Sequence, residues 1–143
     1  MNHRGPGCIV ECDKSHIFKR KYNRGRMYVL EDWWMFGAIC RETGECFAMV
    51  VPDRTKNTLW PLMASRIAAV STIYTDSAAV YDGIKDLGIS WVHLKVNHRK
   101  TFVRHVLYRG HVYIVHTNQI ERLWRHIKSF IRSRRSPNYF NEQ

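Results

Sequence analysis

The sequence predicts an α/β fold, a mixed five-stranded sheet with helices on both faces. Short runs rich in β-branched and aromatic residues crowd the N-terminal third, strand-like and helix-like segments then alternate, and the C-terminal segment holds an unbroken helical period. The 143 residues suit one domain, because a chain of this length cut in two would leave each half a marginal core. A composition of 45% hydrophobic, 13% aromatic and 24% charged residues excludes a disordered, collagen-like or coiled-coil chain. The longest apolar run, Trp33 to Cys40, is far shorter than the roughly 18 residues of a spanning helix. No charged-then-apolar leader opens the chain, so the expectation is a soluble, intracellular protein without a membrane partner.

Element by element, residues 1–7 have turn chemistry and no period, which makes them an irregular lead-in to a domain over 8–135. Cys8 to Asp13 alternates and reads as the first strand, and Lys19 to Arg26 reads as a basic loop with a glycine turn. Trp33 to Arg41 and Cys46 to Val51 form two strands joined through the glycine-centred Glu42-Thr43-Gly44-Glu45. Asn57 or Thr58 caps a helix to about Ala69, with Pro61 in its first turn and Leu59, Leu62, Met63, Ile67 and Val70 in helical period. Ser71 to Thr75 is a β-branched strand that ends at Asp76; a helix from Ser77 follows, with Val80, Tyr81, Ile84 and Leu87 on one side and Gly88 as its stop. Trp91 to Val96 is the fifth strand, and the basic, aromatic stretch 97–115 offers a further one at Val112 to Val115. Ile120, Leu123, Trp124, Ile127, Phe130 and Ile131 then mark a helix packed on a core, before a flexible tail over 136–143.

Three strands, a helix, a strand, a helix, a strand and a last helix is the element order of the ribonuclease-H-like fold. Carboxylates stand at three of its special places: Asp13 on the first strand, Asp76 at the carboxyl end of the fourth, and Glu121 near the start of the last helix. Three hard oxygen ligands folded together can hold two Mg²⁺ or Mn²⁺ ions for phosphoryl transfer at a phosphodiester. Each acid also has a plainer role. Glu11, on the same strand face as Asp13, is an equally available ligand; Asp76 suits a helix N-cap; Glu121 fits a capping box with Asn118 and an i,i+4 pair with Arg125.

The balance of 23 Lys and Arg against 12 Asp and Glu, a net charge of +11, makes nucleic acid the expected partner. Lys19, Arg20, Lys21 and Arg24 in the basic loop, and Arg125, Lys128 and Arg132 along one face of the last helix, are the candidate phosphate contacts, although runs of this kind also serve as solvated surface. Tyr22, Trp33 and Trp34 could stack on unpaired bases, against the commoner reading of buried strand aromatics. Cys8, Cys12, Cys40 and Cys46 lack zinc spacing and read as reduced thiols; His98, His105, His111 and His116 show no ligand spacing either.

The segments V-E-C-D (10–13), K-R-K-Y-N-R-G-R (19–26), W-x-F-G-A-I (34–39), V-P-D-R-x-x-x-T-L (51–59), I-Y-T-D (73–76), V-N-H (96–98) with F-V (102–103), and H-T-N-Q-I-E-R-L-W-R-H-I-K (116–128) together resemble the Merlin-type and bacterial ISXO-like DDE transposases in order and spacing. The resemblance implies Asp13, Asp76 and Glu121 as the catalytic and metal-binding triad, with Lys128 seven residues after the third acid, two Mg²⁺ or Mn²⁺ ions, and DNA, as element ends and target, for a partner. It admits a homo-oligomer and implies no small-molecule substrate. Asn118 is a lesser ligand candidate, since some relatives use asparagine as the third ligand. Lys14 and Phe18 depart from the family, which places an acid and a glycine there. The expectation is therefore a transposase catalytic core that cuts and joins DNA, acting in a nucleus or a bacterial nucleoid; the alternative is a truncated or domesticated remnant that binds DNA without cleaving it. A basic structural or ribosome-associated protein would need no acids at these three places.

Overall fold

A computed structural model of the chain describes residues 8–22, 28–88, 90–97 and 103–133, and for 18–22 and 28–32 it describes the backbone. The expected lead-in over 1–7, Arg24, His98 and the tail over 136–143 lie outside the described residues.

The main sheet has five strands, β1 (Ile9–Tyr22), β2 (Tyr28–Cys40), β3 (Cys46–Val51), β4 (Thr72–Asp76) and β5 (Val92–Val96), in the spatial order β3-β2-β1-β4-β5. β1, β2 and β3 pair antiparallel, and β1–β4 and β4–β5 pair parallel, so the sheet is mixed as expected. β1 and β2 are much longer than their alternating cores announced. The cationic run Lys19 to Lys21, expected in a loop, continues β1, because each residue there keeps a ladder partner on β2 from Glu31 to Val29. Between β5 and the last helix stands a separate hairpin of β6 (Arg104–Tyr108) and β7 (His111–Val115), which adds a strand to the one anticipated at 112–115. Arg109 and Gly110 turn it, both with positive φ.

Two helices cover opposite faces. Val10, Cys12, Phe36, Ala38 and Ile73 point to one side and form the core with Leu59 and Met63 of α1 (Lys56–Arg66), while Gly37, between Phe36 and Ala38, faces Trp124 of α2 (Asn118–Ser133) on the other. A smaller cluster on the α2 side holds Tyr74, Val96 and Val115, with Val106 and Tyr113 of the hairpin against it. No helix among the described residues is long and apolar enough to cross a membrane.

Several local expectations are corrected. α1 is entered at Thr55, not at Asn57 or Thr58, because Asp53 accepts hydrogen bonds from the Thr55 N–H, the Thr55 hydroxyl and the Thr58 hydroxyl and sets the turn two or three residues earlier. Pro61 consequently lies beyond the first turn, on the exposed side of the helix. The helix stops at Arg66, and Val70 sits in an exposed turn with φ of 67°. The expected helix from Ser77 to Leu87 is instead two 3₁₀ turns, Ala79–Tyr81 and Ile84–Asp86. Asp82 with extended ψ and Gly83 in the left-handed region at φ 96° break the helical run between them. Gly88 ends no helix; a side chain there would collide with the Trp91 indole, which packs into the core.

Gly37 is the tightest point of the α2 face. A Cβ built on it would stand 2.9 Å from the Trp124 ring and 3.0 Å from the Phe47 carbonyl oxygen. Neither neighbour can retreat, since one is a buried indole and the other is backbone. Gly37→Ala is expected to destabilise the protein by about 1–3 kcal/mol, read as a lower urea midpoint, and a midpoint equal to wild type would show that α2 rides up at no cost.

Candidate functional site at the β1–β4–α2 junction

The parallel register pairs Ile9 with Thr72, Val10 with Ile73 and Glu11 with Tyr74. Carried on by two residues, the same register sets Asp13 beside Asp76, and the pleat turns both toward α2. Two acids far apart in sequence thus meet where β4 ends against the middle of its parallel neighbour β1. Their proximity has an electrostatic mark. The Asp13 carboxyl is pushed up to about 6, first by burial and next by the charge of Asp76, against hydrogen bonds from the Lys14 backbone and the Trp124 indole.

Asp76 also serves the plainer role anticipated for it, since its Oδ1 accepts the Ala78 N–H at 3.0 Å and shapes the entry to the first 3₁₀ turn. Tyr81, from that turn, is fully buried beneath the acids; its hydroxyl has no hydrogen-bond partner among the described residues and is held well above its ordinary pKa by burial and then by Asp13. Lys14, where the family pattern has an acid, places its ammonium 5.2 Å from the Tyr81 ring centre, on the side away from α2.

α2 supplies the facing wall. A cleft of about 410 Å³ is lined by Asp13, Ser15, Glu121, Trp124, Arg125 and Lys128. Glu121 therefore shares a concave surface with Asp13, and the cations lie one and two turns further along the helix, within about 10 Å of it at 1.5 Å per residue. The Trp124 Nε1–H donates to Asp13 Oδ2 at 3.1 Å. That bond depends on Gly37, which is the ladder partner of Asp13 on β2 and leaves the indole room to lie on the sheet.

Glu11, the alternative ligand, has other partners. Its side chain is fully buried; Oε1 accepts the backbone N–H groups of Gln119 and Ile120 at 3.0 and 3.1 Å, and Oε2 accepts Nε and Nη2 of Arg41 at 3.1 and 3.0 Å. Arg41 also reaches the carbonyls of Ile114 and His116, and its guanidinium lies over the Tyr74 ring. The start of α2 is thus capped from β1. Sequence reasoning missed Arg41 and Gly37, although a glutamate flanked by Val10 and Cys12 in a buried strand signals that a cation must be near.

The remaining candidates fall as follows. Asn118 is exposed at the first turn of α2, its N–H directed to His116 Nδ1, and it does not line the cleft. Arg132 is exposed one turn beyond Lys128. Lys19, Arg20 and Lys21 are placed by backbone on the outer half of β1. Trp34 packs against the core, stacked on His16 with ring centres 4.6 Å apart and with the Arg54 guanidinium 4.2 Å from its ring, which agrees with the strand-aromatic reading.

Among the described residues no three His, Cys, Asp or Glu side chains gather tightly enough to form a metal cage. The Asp13–Asp76 pair nevertheless has the donor chemistry of a divalent-cation site. It offers hard oxygens side by side, partly desolvated, with a raised carboxyl that a nearby cation would relieve.

Carboxylates side by side on adjacent parallel strands, faced by a helix that carries a third acid and then cations, define a mixed α/β domain with an acidic cleft and a basic wall. Over residues 9–142 the chain matches the ISXO2-like transposase domain, and it belongs to that family. Comparison with curated proteins and with solved structures finds no match.

The raised Asp13 carboxyl fixes a sign. Its folded-state value stands above the ordinary 3.8, so the folded protein keeps this proton longer than the unfolded chain and loses stability as pH rises from about 4 to about 6, by about 3 kcal/mol or less. Asp13→Asn is expected to remove that decline. The difference in urea stability between the variant and wild type should widen in favour of the variant across this window and stay level above it; a difference that does not vary with pH would mean that Asp13 is not desolvated.

Proposed function

We propose that this chain is the catalytic domain of a DDE transposase with a ribonuclease-H-like fold, which cuts and joins DNA strands at a site formed by Asp13, Asp76 and Glu121. The observation that carries the reading is the meeting of Asp13 and Asp76 on adjacent parallel strands, with Glu121 on the facing wall of one cleft, in a chain of the ISXO2-like transposase family. In this reading the three acids hold two Mg²⁺ or Mn²⁺ ions. When bound, the ions activate an attacking oxygen and support the leaving oxygen at a phosphodiester. The chain's own groups do the rest. Trp124 orients Asp13 through its indole N–H, while Arg125 and Lys128 lie along the cleft where a strand's phosphates would run. The net charge of +11, to which Arg132, Lys19, Arg20, Lys21 and Arg24 contribute, draws the DNA by counterion release. Such a protein works inside the cell on DNA.

The basic wall and the acids are expected to separate in mutants. Asp76→Asn should abolish cleavage and joining of a DNA substrate in Mg²⁺ or Mn²⁺ while leaving affinity equal or higher, because a repulsive charge near phosphate is gone. Arg125→Ala with Lys128→Ala should weaken binding to all sequences and reduce the slope of log affinity against log salt by about one for each lost phosphate contact. An unchanged salt slope would place the DNA path elsewhere. Salt-dependent binding by a wild-type protein that never cleaves would return the reading to a DNA-binding remnant.

A further inference from the structure

The strongest unassigned group is Glu11. It is the most deeply buried charge among the described residues, with no exposure, and it lies two residues before Asp13 on the same face of β1. Its four hydrogen bonds run to two elements. Oε1 holds the N–H groups of Gln119 and Ile120, which belong to the first turn of α2, and Oε2 holds the Arg41 guanidinium from the end of β2. Arg41 in turn grips the carbonyls of Ile114 and His116, on the approach from β7 into α2.

We propose that Glu11, with Arg41, is a positioning residue that sets the distance between the two walls of the cleft. Ile120 is covalently adjacent to Glu121, and Glu11 is one residue removed from Asp13, so the Glu11–Ile120 bond fixes Glu121 relative to Asp13 through two short, stiff stretches of backbone. Apolar packing does not supply this register alone, since only Ile120 and Trp124 of the α2 side chains are buried. A helix held by two buried side chains can slide or tilt; a charge-assisted cap at its first turn removes that freedom. A displacement of about 1 Å between reacting groups can lower a rate by about 10²-fold, so the cap acts on turnover without touching substrate.

The assignment rests on the proposed function for its kinetic consequence and on geometry alone for its structural one, and two readouts keep them apart. The first is the Trp124 indole N–H resonance in the metal-free protein, which reports how α2 sits on Asp13. The second is strand cleavage with Mn²⁺, with turnover measured separately from DNA affinity. Glu11→Gln keeps the length and an oxygen for the helix N–H groups but loses the charge, and Arg41→Lys keeps a cation but loses the fork. Both are expected to shift the indole resonance and to lower turnover at least tenfold, with DNA affinity within about twofold of wild type. A folded variant with a lower melting temperature, an unmoved indole resonance and full turnover would make Glu11 a stabilising residue only and overturn the proposal. If Glu11→Gln does not fold, Arg41→Lys decides, because its buried carboxylate keeps a counter-charge. A wild-type protein that binds DNA but does not cleave it would defeat the proposed function and leave the indole readout to judge the positioning role.

Discussion

A carboxylate cut off from water must be neutralised where it stands, and Glu11 in the centre of the sheet imposes that demand on everything around it. The strand that carries it cannot turn it outward without exposing Val10 and Cys12, which belong to the core on the other face. Donors must therefore come to Glu11. The first turn of α2 brings N–H groups that have no partner within their own helix, and Arg41 brings the positive charge. Arg41 lies over the Tyr74 ring, which joins the cap to the small cluster that seats the β6–β7 hairpin. Four segments are fixed by one buried charge, and the helix that results has one direction in which to run: across β1 and β2, past Gly37, with Glu121 and Trp124 over Asp13.

The acids beyond the cap show the opposite economy. Glu11 is fully compensated, whereas Asp13 and Asp76 repel each other in a half-dry setting that raises the Asp13 carboxyl. Neighbours that could relieve the strain do so only in part. The indole donates one hydrogen bond, and Lys14 directs its ammonium toward Tyr81 on the far side of the sheet. Frustration kept at one point of an otherwise consistent structure is the usual signature of a working site. A buried and a half-buried carboxylate two residues apart on one strand thus have different fates, decided by whether α2 meets them with a pair of backbone N–H groups or with a single indole N–H.

Much of this was legible in the residues. The pairing of β2 with β3 followed from alternating segments around Gly44, and the period from Ile120 to Ile131 announced α2. Asp13, Asp76 and Glu121 stood out because strand ends and helix starts are where α/β sheets expose polar groups. The outer halves of β1 and β2 were hidden, because charged ladder residues such as Lys19 and Lys21 carry no apolar alternation and owe their strand conformation to the partner opposite. The segment after Asp76 carried a true helical period, yet Gly83 and Asp82 overrode it locally and split it into 3₁₀ turns. The cap on α2 and the contact at Gly37 join residues more than eighty positions apart, and no window along the sequence contains both partners.

β4 is buried along nearly its whole length, Thr72 through Thr75, so hydrophobic patterning does little to choose between one alignment of this strand and the next. Asp76 makes the choice unequal. A slip of one residue against β1 would turn its carboxylate out of the cleft and into the apolar layer of Leu59 and Met63. The same charge that repels Asp13 in the finished molecule thus penalises the misaligned sheet more heavily than the correct one, and the chain acquires from its reactive group a check on the accuracy of its own folding.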